Sequence, residues 1–98
     1  MPMQHRLSRN AAADLRRLYR RRVLDFGIAH ADRYLARMEA TFRGISEFPD
    51  AYPARPEIAE ARIRPFEAHH IVYRIKAEEV VVLRVLHGRQ DVARYLNG

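Results

Sequence analysis

A chain of 98 residues that is 48% hydrophobic and has no cysteine suits one folded domain spanning 1–98. This composition argues against a disordered segment, a disulfide framework and thiolate chemistry, and it suits a reducing compartment. The formal charge of +6 is carried almost wholly by arginine, since Lys76 is the single lysine. Guanidinium pairs bidentately with carboxylate and with phosphate, so the charge fits an acidic protein or a nucleic acid and does not choose between them. The opening MPMQHRLSRN lacks the apolar core of a signal peptide and no run is long enough to span a bilayer. The expectation is a soluble cytoplasmic protein with no membrane partner.

Met3 to Leu7 reads as a short first strand. Ser8 then offers an N-cap, its hydroxyl placed to accept from the free N–H groups of a first helical turn. Ala11, Leu15, Leu18/Tyr19, Arg22/Val23 and Phe26 recur at helical spacing, and Gly27 supplies the left-handed residue that ends the helix. A second helix follows, with Ala31, Tyr34/Leu35, Met38, Phe42 and Ile45 as its apolar stripe and Phe48-Pro49 as its stop. So short a link predicts an antiparallel helix hairpin. Arg16, Arg17, Arg20 and Arg21 make a basic ridge on the first helix, offset only in part by Asp14 and Asp25.

Pro49, Pro53 and Pro56 mark an irregular connector from Phe48 to Glu60. Arg62 to Phe66 reads as a strand, with Ile63 and Pro65 on one face and Arg62, Arg64 and Phe66 on the other; its proline suits an edge. In the next strand Ile71, Tyr73 and Ile75 alternate with His70, Val72 and Arg74. After the charged turn Lys76-Ala77-Glu78-Glu79, the run Val80 to Leu86 suits a central strand buried on both faces. Val92 to Leu96 predicts a short C-terminal helix. The order β-α-α-β-β-β(-α) is an α+β domain, a helix hairpin packed on a small, mainly antiparallel sheet.

Arg74 and Arg84 interrupt apolar text. Each must reach a carboxylate, a rim or a ligand, because an unpaired guanidinium costs several kcal/mol to bury. The last strand ends in the polar cluster His87-Gly88-Arg89-Gln90-Asp91. His87 reads either as a structural or contact residue, paired with Asp91 to fix the strand end, or as an acid/base. His69 and His70 are adjacent, hence on opposite faces, so they and His87 do not converge as zinc needs; no metal and no cofactor is expected. The arginine ridge could also sit on phosphates as a basic nucleic-acid-binding module, although no helix-turn-helix signal accompanies it.

"RLSRNAAADLRRLYRRRVLDFG", "AHADRYLARMEATFRGISEFPD", the spacing of Arg64, His70, Val72, Tyr73 and Arg74, and the closing "LRVLHGRQDVARYL" together resemble the ParE/RelE toxin superfamily over nearly the whole chain. Phe26 stands where that pattern more often has tryptophan before the glycine, and Phe66-Glu67-Ala68-His69 replaces a small-residue turn. The resemblance implies the toxin of a bacterial type II toxin–antitoxin system. It also implies a hetero-oligomer with a cognate ParD-like or RelB-like antitoxin, whose acidic disordered segment folds on the toxin. RelE-like members cut mRNA on the ribosome; for that chemistry His87 would serve as acid/base and Arg62, Arg64 and Arg84 as phosphate clamps, with Tyr73 and Tyr95 as spare candidates. ParE-like members inhibit DNA gyrase without those residues. Arg84, His87 and Asp91 resemble the ParE ending more closely, so the expectation is a non-enzymatic gyrase inhibitor. Arg62, Arg64, Arg74, Arg84, His87, Arg89 and Asp91 are then its target- or antitoxin-binding residues.

Overall fold

A computed structural model describes residues 3–97. Strand β1 (Gln4–Leu7) leads into helices α1 (Arg9–Phe26) and α2 (Ile28–Glu47). A 3-10 turn (Pro56–Ile58) precedes strands β2 (Arg62–Phe66), β3 (His69–Lys76) and β4 (Glu79–His87), and helix α3 (Val92–Asn97) closes the chain. The sheet order is β1-β4-β3-β2, antiparallel throughout except where β1 runs parallel to β4. The expected α+β order and the helix hairpin on one sheet face are observed, and β4 is a central strand.

Local chemistry sets the boundaries. The Ser8 hydroxyl accepts from the Ala11 N–H at 3.0 Å and donates to the Leu83 carbonyl at 2.8 Å, so the cap of α1 is also tied to β4. Gly27, at φ 89°, joins the two helices as the lone residue between them, a backbone state that a Cβ would strain. Helix α2 therefore begins at Ile28, three residues earlier than the apolar stripe indicates. Ala77 and Glu78 both have positive φ, forming the tight two-residue turn between β3 and β4 without a glycine.

Two cores flank the sheet. On one face Tyr34, Met38, Phe42 and Ile45 of α2 and Ala11 of α1 pack on Ile71, Tyr73, Val80, Val82 and Val85. On the other, Ile58, Ala61 and the α3 residues Val92, Ala93 and Leu96 cover Ile63, Val72 and Leu86. Between Val72 and Tyr73 the register shifts against β4, leaving Leu83 as an extra residue. The bulge lets Val82 and Val85 share a face although they are three residues apart. One expectation fails: Phe26 belongs to the helical stripe by spacing but is 62% exposed, because α1 runs past the sheet before it ends.

Candidate functional site

Parallel strand β1 stops at Leu7, opposite Val82. Beyond that point β4 has no strand partner on its outer edge, and its backbone N–H groups need other acceptors. Asp14, on the inner side of α1 and 5% exposed, supplies one. Its Oδ2 accepts from the Val85 N–H at 2.9 Å and from Arg84 Nε at 2.8 Å. Its Oδ1 accepts from Arg84 Nη2 at 2.9 Å and Arg17 Nη2 at 2.5 Å. The carboxylate is thus saturated by four donors, and the fork of Arg84 is used bidentately. That bond holds the Arg84 guanidinium even more firmly protonated than usual. Its carbon lies 5.2 Å from the centroid of the Tyr95 ring of α3.

Arg84 and His87 open onto one groove of about 440 Å³, shared with Arg17, His69, Gln90 and Tyr95. His69 and His87 are register partners across β3 and β4, with ring centroids 5.5 Å apart. Tyr34 Oη lies 3.3 Å from His69 Nδ1, and the Arg22 guanidinium sits over the Tyr34 ring at 3.8 Å. Burial, then the neighbouring His87 and Arg22, push the His69 pKa below its ordinary value. His87 Nδ1 accepts from the Arg89 N–H at 3.2 Å, which places the proton of the neutral ring on Nε2. Neutral His87 therefore presents its Nε2–H as a hydrogen-bond donor. Among the described residues no group of three or more His, Cys, Asp or Glu side chains could hold a metal ion.

The expected pairing of His87 with Asp91 is not formed. Gln90 instead accepts from the His87 N–H at 2.7 Å, and Asp91 accepts from the Ala93 N–H at 3.2 Å, capping α3. Nor do the remaining arginines join this groove. Arg62 binds Asp50 at 3.2 Å and donates to the Tyr52 carbonyl, while Tyr73 Oη donates to the Pro49 carbonyl at 2.8 Å. Together they pin the connector that follows α2. Arg64 sits beside them, donating to the Pro65 carbonyl. Arg74 is opposite Val81 and bonds the Ala59 carbonyl at 3.1 Å. Of the seven expected contact residues, only Arg84, His87, Arg89 and Asp91 gather at the β4 end.

Treating Asp14 only as a partial charge offset to the basic ridge misses its role. Its signal was present in the sequence: Ala11, Asp14, Leu15 and Leu18 fall on one helical face, and an aspartate on an apolar stripe demands a buried partner.

Residues 6–92 match the family described as ParE toxin of type II toxin-antitoxin system, parDE. The chain is similar to Toxin ParE3 of Caulobacter vibrioides, 32% identical over 93 residues that cover 91% of this chain and 90% of that protein. Its fold is similar to that of a solved structure titled as a chromosomal ParDE TA system from P. aeruginosa. That match has TM-score 0.76 and 24% identity, covering 87% of this chain and 95% of the other. The chain belongs to the ParE toxin family of type II toxin–antitoxin systems.

Proposed function

We propose that this toxin is a cytoplasmic inhibitor of DNA gyrase, kept inactive in a hetero-oligomer by a cognate ParD-like antitoxin. The observation that carries the choice between gyrase and mRNA is the engagement of Arg84. Its Nε and Nη2 donors both lie on Asp14, so it is not free to clamp a phosphate without breaking a buried pair. Arg62 is likewise held by the connector, and Arg74 is on the face away from the helix hairpin. Strand cleavage needs a phosphate clamp beside its acid and base, and the arginines expected as clamps, Arg62, Arg64 and Arg84, are each bonded within the protein. Contact with a protein target asks less of them: exposed His87, Arg89 and Asp91 are available at the β4 end. For the antitoxin, the groove of about 770 Å³ along the hairpin offers Leu15, Val23, Leu35 and Phe42 as an apolar floor. Its wall carries Arg16 and Arg20 beside Asp32 and Glu39, so an amphipathic segment of mixed charge that folds on binding suits it.

The test is a gyrase supercoiling and cleavage assay with purified, antitoxin-free protein. Loss of supercoiling with accumulation of linear, protein-linked plasmid is the expected result. Unaffected gyrase, with protein that still stops growth in cells, would overturn the reading and return His87 to consideration as an acid/base in mRNA cleavage.

A further inference from the structure

The tip of the helix hairpin breaks the rule that large apolar side chains find cover. Leu24, Phe26 and Ile28 are 76%, 62% and 63% exposed, and they lie within five consecutive residues. None joins either core cluster. Single exposed leucines are common on protein surfaces, whereas an apolar cluster rimmed by charge marks an interaction site. The turn that carries these three side chains is tight. Gly27 joins the helices with no intervening loop, and its N–H donates to the Val23 carbonyl at 2.8 Å. Phe26 stacks on His30 with ring centroids 4.6 Å apart, and the Arg22 guanidinium lies 5.9 Å from the Phe26 ring centroid. His30 Nε2 is buried there with no hydrogen-bond partner. Rigid aromatic and aliphatic anchors lose little entropy on docking, the property that makes interface hot spots.

Charge selects the partner. From Arg16 to Arg33 the chain carries six arginines against Asp25 and Asp32; Arg17 is already paired with Asp14 at 2.5 Å and Arg21 with Asp25 at 3.0 Å. Arg20 and Arg33 stand exposed on the two arms of the hairpin. We infer that the hairpin tip is a docking plug: Phe26 and Ile28, on either side of Gly27, enter an apolar pocket on the protein target, and the flanking arginines meet carboxylates on that pocket's rim. The inference rests on the gyrase reading above and adds to it a contact surface beyond the β4 end. Apolar anchors with a basic rim would supply affinity through the plug and encounter rate through the charge.

The experiment compares wild type, Phe26→Ser/Ile28→Ser and Arg33→Glu in the gyrase supercoiling assay, with thermal melting of each. The paired serine variant melts like wild type and needs at least about thirtyfold more protein for half-inhibition, as expected from loss of a hot spot. Arg33→Glu weakens inhibition by about threefold to tenfold, more at low salt than at high. Active wild type with an equally active, folded serine variant would overturn the plug while leaving the gyrase reading intact. Wild type without effect on gyrase would sink that reading and the plug with it. Co-sedimentation of wild type with phosphatidylglycerol vesicles, lost in the serine variant while gyrase inhibition is unchanged, would also overturn it, assigning the tip to a lipid surface.

Discussion

The two halves of α1 handle the same mixed composition in opposite ways. Near its start, the buried carboxylate of Asp14 is met by four donors from α1 and β4. At its end, Leu24 and Phe26 are left to solvent. The difference follows from the sheet beneath. The first half lies over the part of β4 that β1 does not reach, where unsatisfied backbone groups demand a polar clasp; the last turn has only α2 beside it, with Phe26 stacked on His30. A helix can therefore be anchored by its polar residue and expose its apolar ones, the reverse of the usual division.

Asp14→Ala breaks the anchored half most severely. It leaves Arg84 and the Val85 N–H without their acceptor, and the expected loss is about 3–5 kcal/mol in urea unfolding. Asp14→Leu combined with Arg84→Met should cost less than Asp14→Ala alone, because no buried charge is orphaned. A double variant as unstable as the single one would show that the backbone clasp to Val85, not the ion pair, holds α1.

Acidification probes the same end more gently. The native His69 pKa is lowered, chiefly by burial and then by His87 and Arg22, while the unfolded ring keeps the ordinary value of 6.5. Below that value the unfolded chain binds the proton first. Stability present at neutral pH is therefore lost as pH falls through about 6.5, and the loss levels off beneath the lowered native pKa. Urea midpoints at pH 7.5 and 5.5 should separate more for wild type than for His69→Gln. Equal separation would remove His69 as the source.

Phe26→Ser sharpens the contrast from the other side. At an exposed position that supports neither core, it should change stability by no more than about 0.5 kcal/mol. A loss several times larger would mean that the stacking on His30 and Arg22 secures the hairpin turn and that the tip is structural.

Expectations from the sequence fared unevenly for identifiable reasons. Strands β2, β3 and β4 were legible from alternation and β-branched runs, and the Ser8 cap and Gly27 stop from local backbone chemistry, because these features depend on near neighbours. Arg84 was recognised as needing a partner, but not which one. Asp14 is 70 residues away along the chain, and nothing in strand periodicity reports it. For that reason Arg84→Ala is a test of folding as much as of contact. Arg62, Arg64 and Arg74 looked like companions of Arg84 because all four sit on strands, yet register and sheet order separate them.

By itself, the sequence determined the element order, the α+β class and the family, since periodicity, caps and motif spacing are written in residues that lie close together along the chain. Tertiary structure alone decided the parallel placement of β1, the bulge at Leu83 and the partners of the arginines. It also decided which apolar residues remain uncovered. Each of these depends on where a strand ends relative to a helix distant in sequence, and that geometry is set by packing and by the need to satisfy buried backbone groups.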